Sequence, residues 1–158
     1  MRREFHPLLH SYMERDSRIW VVTADLGYGM FDKISTSFPD RFVNCGASEQ
    51  LMVGMGVGLA LAGKIPVLYS ITPFLLWRPA EWHRLYLNHE RVPVKLVGSG
   101  RGTDYAHDGI THDATDDAAF LDILPNIATF WPETVDELPA VTEQWLYNER
   151  AAYLNLKR

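Results

Sequence analysis

Two stretches of the sequence carry side chains suited to chemistry. Glu49 opens an apolar, glycine-rich run that continues as MVGMGVGLALAG over residues 52–63. A carboxylate in the first turn of a helix interacts favourably with the free amides there, so Glu49 either stabilises that helix end or meets a ligand. The second stretch is HDGITH, residues 107–112, which follows the glycine-containing segment GSGRGTDYA. Its His107, Asp108 and His112 suit polar contact or proton transfer, and loops at the carboxyl ends of parallel strands are where open α/β sheets bind ligands. Zinc is a competing use for His107, His112 and Asp113, but no second His/Cys cluster completes a structural site, so no metal site is assigned. The single GxG lacks the rest of a dinucleotide fingerprint, and neither a Walker loop nor a GxSxG elbow is present.

The elements that must position these residues follow from hydrophobic spacing. Phe5, Leu8, Leu9, Tyr12 and Met13 recur at helical intervals before the apolar run Arg18–Thr23. Phe42–Cys45 reads as a strand, and Ser48–Ala62 as a helix closed by Gly63. Pro66–Tyr69 is a strand candidate, followed by a helix with Trp82, Leu85, Tyr86 and His89 on one face and then by the buried strand Val92–Gly98. Ala118–Leu124 (helix), Ile127–Trp131 (strand), Val135–Asn148 (helix, with Pro139 near its start) and Ala152–Leu156 (strand) complete the series. Continuous apolar strands alternating with helices predict a doubly wound α/β domain, a mostly parallel sheet flanked by helices on both faces. The interior glycines 54, 56 and 58 each cost a helix about 1 kcal/mol relative to alanine. Close approach of another backbone offsets that cost, either within the domain or at a subunit contact.

Composition sets the class. At 158 residues, 47% hydrophobic and 22% charged, the chain holds one core, read as a single domain over residues 1–158. A net charge of -5 argues against nucleic acid and anionic membrane as partners. A lone cysteine, Cys45, permits no internal disulfide. No cleavable signal is read at the N-terminus and no stretch has the roughly 18 apolar residues of a membrane span. A cytoplasmic protein is expected.

Four segments in order, RFVNCGASEQLMVGMGVGLALAGKIPV, PVKLVGSGRG, HDGITH and ILPNIATFWPETVDEL, resemble the pyrimidine-binding domain of transketolases and deoxyxylulose-phosphate synthases. The resemblance spans nearly the whole chain, from DSRIWVVTADLG to AAYLNLKR. It implies thiamine diphosphate as cofactor, with Glu49 hydrogen-bonded to a ring nitrogen of the aminopyrimidine. That contact promotes the tautomer that removes the thiazolium proton, and the cofactor then serves as electron sink. An aromatic side chain of YSITPFLLW stacks on the pyrimidine in such proteins; Phe74 is the choice here and Trp77 the alternative. His112 matches a histidine that contacts donor hydroxyls and shuttles protons, and Asp108 an aspartate that reads hydroxyl stereochemistry, although Ile110 stands where the family usually has proline. Asp25 falls near a subunit interface. His107, Arg101 and Arg158 are substrate-binding candidates, the arginines for a phosphate, whereas Gly29 and Gly100 replace polar residues used for that purpose elsewhere in the family.

Members of this family hold the diphosphate through Mg2+ on a separate domain with a GDG motif, and this chain contains no GDG. The expectation is therefore a split enzyme, a heterodimer or heterotetramer with a second subunit carrying the diphosphate-binding domain. It would transfer a two-carbon ketol unit from a ketose, with or without a phosphate, to an aldehyde or carrier. The glycine-rich helix is the expected contact. The alternatives are a beta-type subunit of a 2-oxoacid dehydrogenase complex and a non-catalytic scaffold. A third, C-terminal domain is not read in the sequence.

Overall fold

The computed structural model describes residues 1–158. Helix α1 (Arg2–Arg15) leads into strand β1 (Ile19–Thr23), and after a loop come α2 (Asp32–Ser37) and β2 (Phe42–Asn44). The glycine-rich helix is α3 (Glu49–Leu61); β3 (Ile65–Ile71) runs straight into α4 (Thr72–Trp77). Helix α5 (Ala80–Trp82) continues as a π-helical segment, His83–His89, before β4 (Lys95–Ser99). Two 3-10 turns, Ala106–Asp108 and Ile110–His112, precede α6 (Asp117–Asp122), β5 (Ala128–Phe130), α7 (Leu138–Leu146) and β6 (Ala152–Leu156).

All six strands are parallel, in the order β2-β1-β3-β4-β6-β5. Every residue of β4 and β6 is buried, as a parallel sheet covered on both faces requires. One apolar cluster packs α3, α4, the π-helical segment and α6 on one face, through Met52, Val57, Leu75, Leu87 and Phe120 among others. The other packs α1 and α7 on the opposite face, through Phe5, Leu9, Met13, Trp145 and Leu146. The chain steps from β1 outward to β2 and returns to β3 on the other side of β1. That reversal leaves a crevice at the carboxyl ends of β1 and β3, the place where open α/β sheets bind ligands.

The doubly wound expectation holds, and several local expectations need correction. The face formed by Trp82, Leu85, Tyr86 and His89 is the inner one only in part: Trp82 and Tyr86 pack partly buried against the core, His83 and Leu87 are the fully buried residues there, and Leu85 and His89 are exposed. A π-helix turns more widely than an α-helix, so the inward stripe takes in Trp82, His83, Tyr86 and Leu87 and leaves Leu85 and His89 outside. The strand expected from Val92 starts at Lys95, because Pro93 has no N–H to give to a ladder. The glycines of α3 divide by role. A Cβ at Gly56 would lie 2.8 Å from Leu68 of β3 and one at Gly54 3.2 Å from Trp82, whereas nothing approaches Gly58. Two of the three thus serve close packing inside the chain rather than a subunit contact.

Lys95 and His83 are buried ionisable groups held by backbone carbonyls. The Lys95 ammonium donates to the carbonyls of Asn148 at 2.5 Å and Arg150 at 2.7 Å, fixing the turn between α7 and β6; burial lowers its pKa to about 8. His83 Nε2 donates to the Leu75 carbonyl at 2.8 Å, and burial lowers that imidazole to about 4. Neutral His83 thereby braces α4, the helix that presents Phe74. No helix is long and apolar enough to cross a membrane.

Candidate functional site

Each residue singled out in the sequence lies beyond the carboxyl end of a strand. Asn44 ends β2, and a short turn through Gly46 (φ 68°) delivers Glu49 to the first turn of α3. Ile71 ends β3, and α4 starts at once, with Pro73 in its first turn, where a missing N–H costs nothing. This carries Phe74, Trp77 and the following Arg78 over the sheet edge. Ser99 ends β4, and residues 100–115 fold back into a closed loop in which the Ala114 N–H donates to the Gly102 carbonyl at 2.9 Å. Gly109, at φ 84°, joins the two 3-10 turns that carry Asp108 and His112.

These elements bring three of the predicted residues into one wall. The Glu49 side chain is 5% exposed, and Arg78 Nη1 donates to its Oε1 at 2.6 Å. The Arg78 guanidinium carbon sits 3.7 Å from the centroid of the Phe74 ring. On from Phe74 stands His112, the ring centroids 4.8 Å apart and the planes at 67°. His112 Nδ1 lies 2.9 Å from Thr111 Oγ1. A cavity of about 540 Å³ opens beside this wall, lined by Pro73, Phe74, Trp77, Arg78, Ile110, Thr111, Asp113, Thr115 and Asp116. Phe74, rather than Trp77, continues the line from Glu49; Trp77 packs edge-on against Phe120 at 4.7 Å and its indole N–H points to Asp116 Oδ1 at 3.4 Å.

The remaining candidates stand apart. His107 and Asp108 are exposed and pair with each other at 3.3 Å. Arg101, the phosphate candidate, is engaged within the chain: its guanidinium donates to Asn155 Oδ1 at 2.7 Å, Glu133 Oε1 at 2.5 Å and the Pro132 carbonyl at 3.0 Å. Five fixed donors in a planar fork suit Arg to such bracing. Arg158 lies over Tyr105 at 5.0 Å, with its N–H on Asp104 Oδ2. Asp25 adopts φ 55° and accepts a hydrogen bond from the exposed Tyr28 hydroxyl at 2.6 Å. No group of three or more His, Cys, Asp or Glu is arranged to hold a metal ion.

A buried polar network, unforeseen in the sequence, roots the loop that carries His112. Asn155 Nδ2 donates to the Tyr153 hydroxyl at 2.8 Å and to the Gly100 carbonyl at 3.1 Å, and the Thr72 hydroxyl donates to the same carbonyl at 2.7 Å. Asp117, in the first turn of α6, lies 3.5 Å from Asn155 Nδ2, and burial raises its pKa to about 6. Asn and Tyr inside the apolar strand AYLNL were the available signal, since a buried amide or phenol needs partners. A Cβ at Gly98 would collide with the Tyr153 hydroxyl and stand 2.6 Å from Thr72 Oγ1, so only glycine fits beside the network.

The raised Asp117 sets a pH dependence. The ordinary carboxyl is at 3.8, so between about pH 4 and pH 6 the folded chain binds a proton that the unfolded chain releases. A raised carboxyl pKa therefore costs stability as pH rises through that window. Asp117→Asn is expected to match wild type below pH 4 and to gain on it by up to about 1.4 kcal/mol per pH unit until pH 6. Urea midpoints of both proteins across pH 4–7 check this; a constant gap would place the titration elsewhere.

The family model described as "Transketolase, pyrimidine binding domain" matches residues 1–158. The chain is 30% identical, over 159 aligned residues, to the 6-deoxy-6-sulfo-D-fructose transketolase subunit SqwH of Clostridium sp. (strain MSTE9), covering 100% of this chain and 49% of that protein. It is 34% identical over 119 residues to an apulose-4-phosphate transketolase subunit of Actinobacillus succinogenes, covering 75% and 38% of the two. Among solved structures it resembles a split-gene transketolase described as an inactive beta4 tetramer, with TM-score 0.87 and 27% identity over 99% of this chain and 51% of that one. It thus spans about half the length, or less, of these relatives. With the same domain matched end to end and the same sheet underneath, the chain belongs to the transketolase pyrimidine-binding domain family.

Proposed function

We propose that this chain supplies the aminopyrimidine-binding wall of a thiamine-diphosphate-dependent, transketolase-type active site, and that a second subunit carrying the diphosphate-binding domain and Mg2+ completes it. The observation that carries the proposal is the buried carboxyl of Glu49, joined through Arg78 to Phe74 and His112 at the carboxyl edge of the sheet. The donor set fits the pyrimidine end of the cofactor: a carboxyl for a ring nitrogen, an aromatic face for the ring, and an apolar cavity wall from Pro73 and Trp77.

When bound, thiamine diphosphate supplies the electron sink that transfer of a two-carbon ketol unit requires. The chain's own residues have simpler tasks. Glu49, its side chain buried, holds a proton at the ring nitrogen, where the low local dielectric strengthens its hydrogen bond. Phe74 orients the ring by its face, and Trp77 and Pro73 keep water from that side. His112, half-buried and backed by Phe74, takes up or releases a proton at a donor hydroxyl. Asp108, with His107, stands at the exposed mouth to meet the substrate's more distant hydroxyls, and Arg158 is the cation nearest to hand for a phosphate. The ketose donor belongs to the sugar class of the named relatives, and the assembly is a heterodimer or heterotetramer in the cytoplasm. The outer face of α3, with Leu51 and Gly58 exposed, is the contact proposed for the partner.

Calorimetry with thiamine diphosphate and Mg2+ tests this, first on the chain alone and then on its mixture with the diphosphate-domain protein. Binding in the mixture alone supports a shared site. Tight binding by the lone chain, or none in either sample, contradicts it.

A further inference from the structure

Arg78 has a role beyond an ordinary surface arginine. It follows the last residue of α4 in helical conformation (φ -62°, ψ -44°) and precedes Pro79. Three contacts converge on it. Its Nη1 donates to Glu49 Oε1 at 2.6 Å, its guanidinium lies 3.7 Å over the Phe74 ring, and its own carbonyl accepts from Gln50 Nε2 at 3.3 Å. Glu49 and Gln50 open α3 behind β2, whereas Phe74 belongs to α4 behind β3. Arg78 is the residue that ties the two helices together at the site.

We propose that Arg78 is a positioning residue: it fixes the Glu49 carboxyl and the Phe74 ring relative to each other, leaving Glu49 Oε2 as the oxygen presented to the ligand. No other hydrogen bond holds the Glu49 carboxyl, so without Arg78 the carboxylate of a side chain with three rotatable bonds has no polar partner to fix its orientation. Fixing it beforehand removes that ordering cost from the binding step. Arginine suits the task for a geometric reason. A planar guanidinium offers N–H groups along its edge and a cationic face, so it can donate to a carboxylate while lying flat on an aromatic ring. A lysine ammonium can satisfy the charge but not both directions. The Arg78 side chain is itself 47% exposed, so the link is built at the rim of the cavity and not inside the core.

This inference rests on the proposed cofactor site, and the test separates the two. In the complex with the diphosphate-domain protein, thiamine-diphosphate affinity is measured for wild type, Arg78→Ala, Arg78→Lys, Glu49→Gln and the Glu49→Gln/Arg78→Ala double variant, with thermal midpoints of each. Arg78→Ala is expected to weaken binding about ten- to hundredfold, the usual worth of a hydrogen bond to a charged group. Arg78→Lys should recover the thermal midpoint yet leave affinity well below wild type. In the double variant the loss should be no larger than for Glu49→Gln alone, because Arg78 acts through Glu49. Unchanged or tighter binding by Arg78→Ala, or losses that add in the double variant, overturns the inference. Absence of binding by the wild-type complex overturns the proposed function instead.

Discussion

On the proposed function, Glu49→Gln is expected to lower ketol-transfer turnover of the complex with the diphosphate-domain protein by about 10²–10⁴-fold, the usual share of a positioned acid or base. The amide is nearly the same shape as the carboxyl, and its oxygen can still accept from Arg78, so the fold should survive with a small change in thermal midpoint. What the amide cannot do is hold and return a proton at a ring nitrogen. Measuring turnover beside far-ultraviolet circular dichroism separates chemistry from unfolding. Wild-type turnover in a folded variant would remove Glu49 from the mechanism and leave it as a helix-end charge, the other role its position allows.

The second large effect is on stability and lies on the opposite face of the sheet. Trp145 of α7 is fully buried, its indole N–H donates to the Ala152 carbonyl at 3.0 Å, and its ring meets Phe5 of α1 edge-on with centroids 6.0 Å apart. Trp145→Ala leaves a cavity in a packed apolar cluster and removes a donor from the Ala152 carbonyl. A loss of about 3–5 kcal/mol is expected, a large part of the roughly 5–15 kcal/mol that holds a domain of this kind together. Urea unfolding checks it, with the midpoint falling and the slope unchanged. A loss below about 1 kcal/mol would mean that α1 and α7 do not share one packed face.

Much of the fold is legible in the sequence because the strands are short, apolar and bounded. IWVVT and AYLNL bury both faces, which a helix-covered parallel sheet demands, while FVN at the sheet edge is only partly covered. Legibility fails where the period changes or the element is short. Thr72–Trp77 follows β3 without a break, with apolar Ile71 rather than a capping side chain before it, and the π-helical His83–His89 turns Leu85 and His89 outward, off the stripe that α-helical spacing gives them. At the site, the resemblance points to Glu49, Phe74 and His112, and folding brings them into one wall through Arg78. The partners of Arg101 are not legible at all, because a sequence does not reveal that Asn155, Glu133 and Pro132 engage its donors. Arg78 was passed over for a related reason: its partners lie 29 residues back and four residues back along the chain, and only folding brings both onto one guanidinium.

The site residues come from the segments that follow β2, β3, β4 and β6, while the packed clusters lie on the faces of the sheet beneath. Inheritance can therefore act on the two regions separately. A lineage that changes residues 100–115 or the tail after Leu156 alters what the rim touches while the strands continue to be selected for burial alone. Divergence should accordingly be uneven along the chain: rapid drift at the mouth, around His107, Asp108 and Ile110, and slow turnover at positions such as Gly98 and Asn155, where one substitution disturbs several neighbours at once.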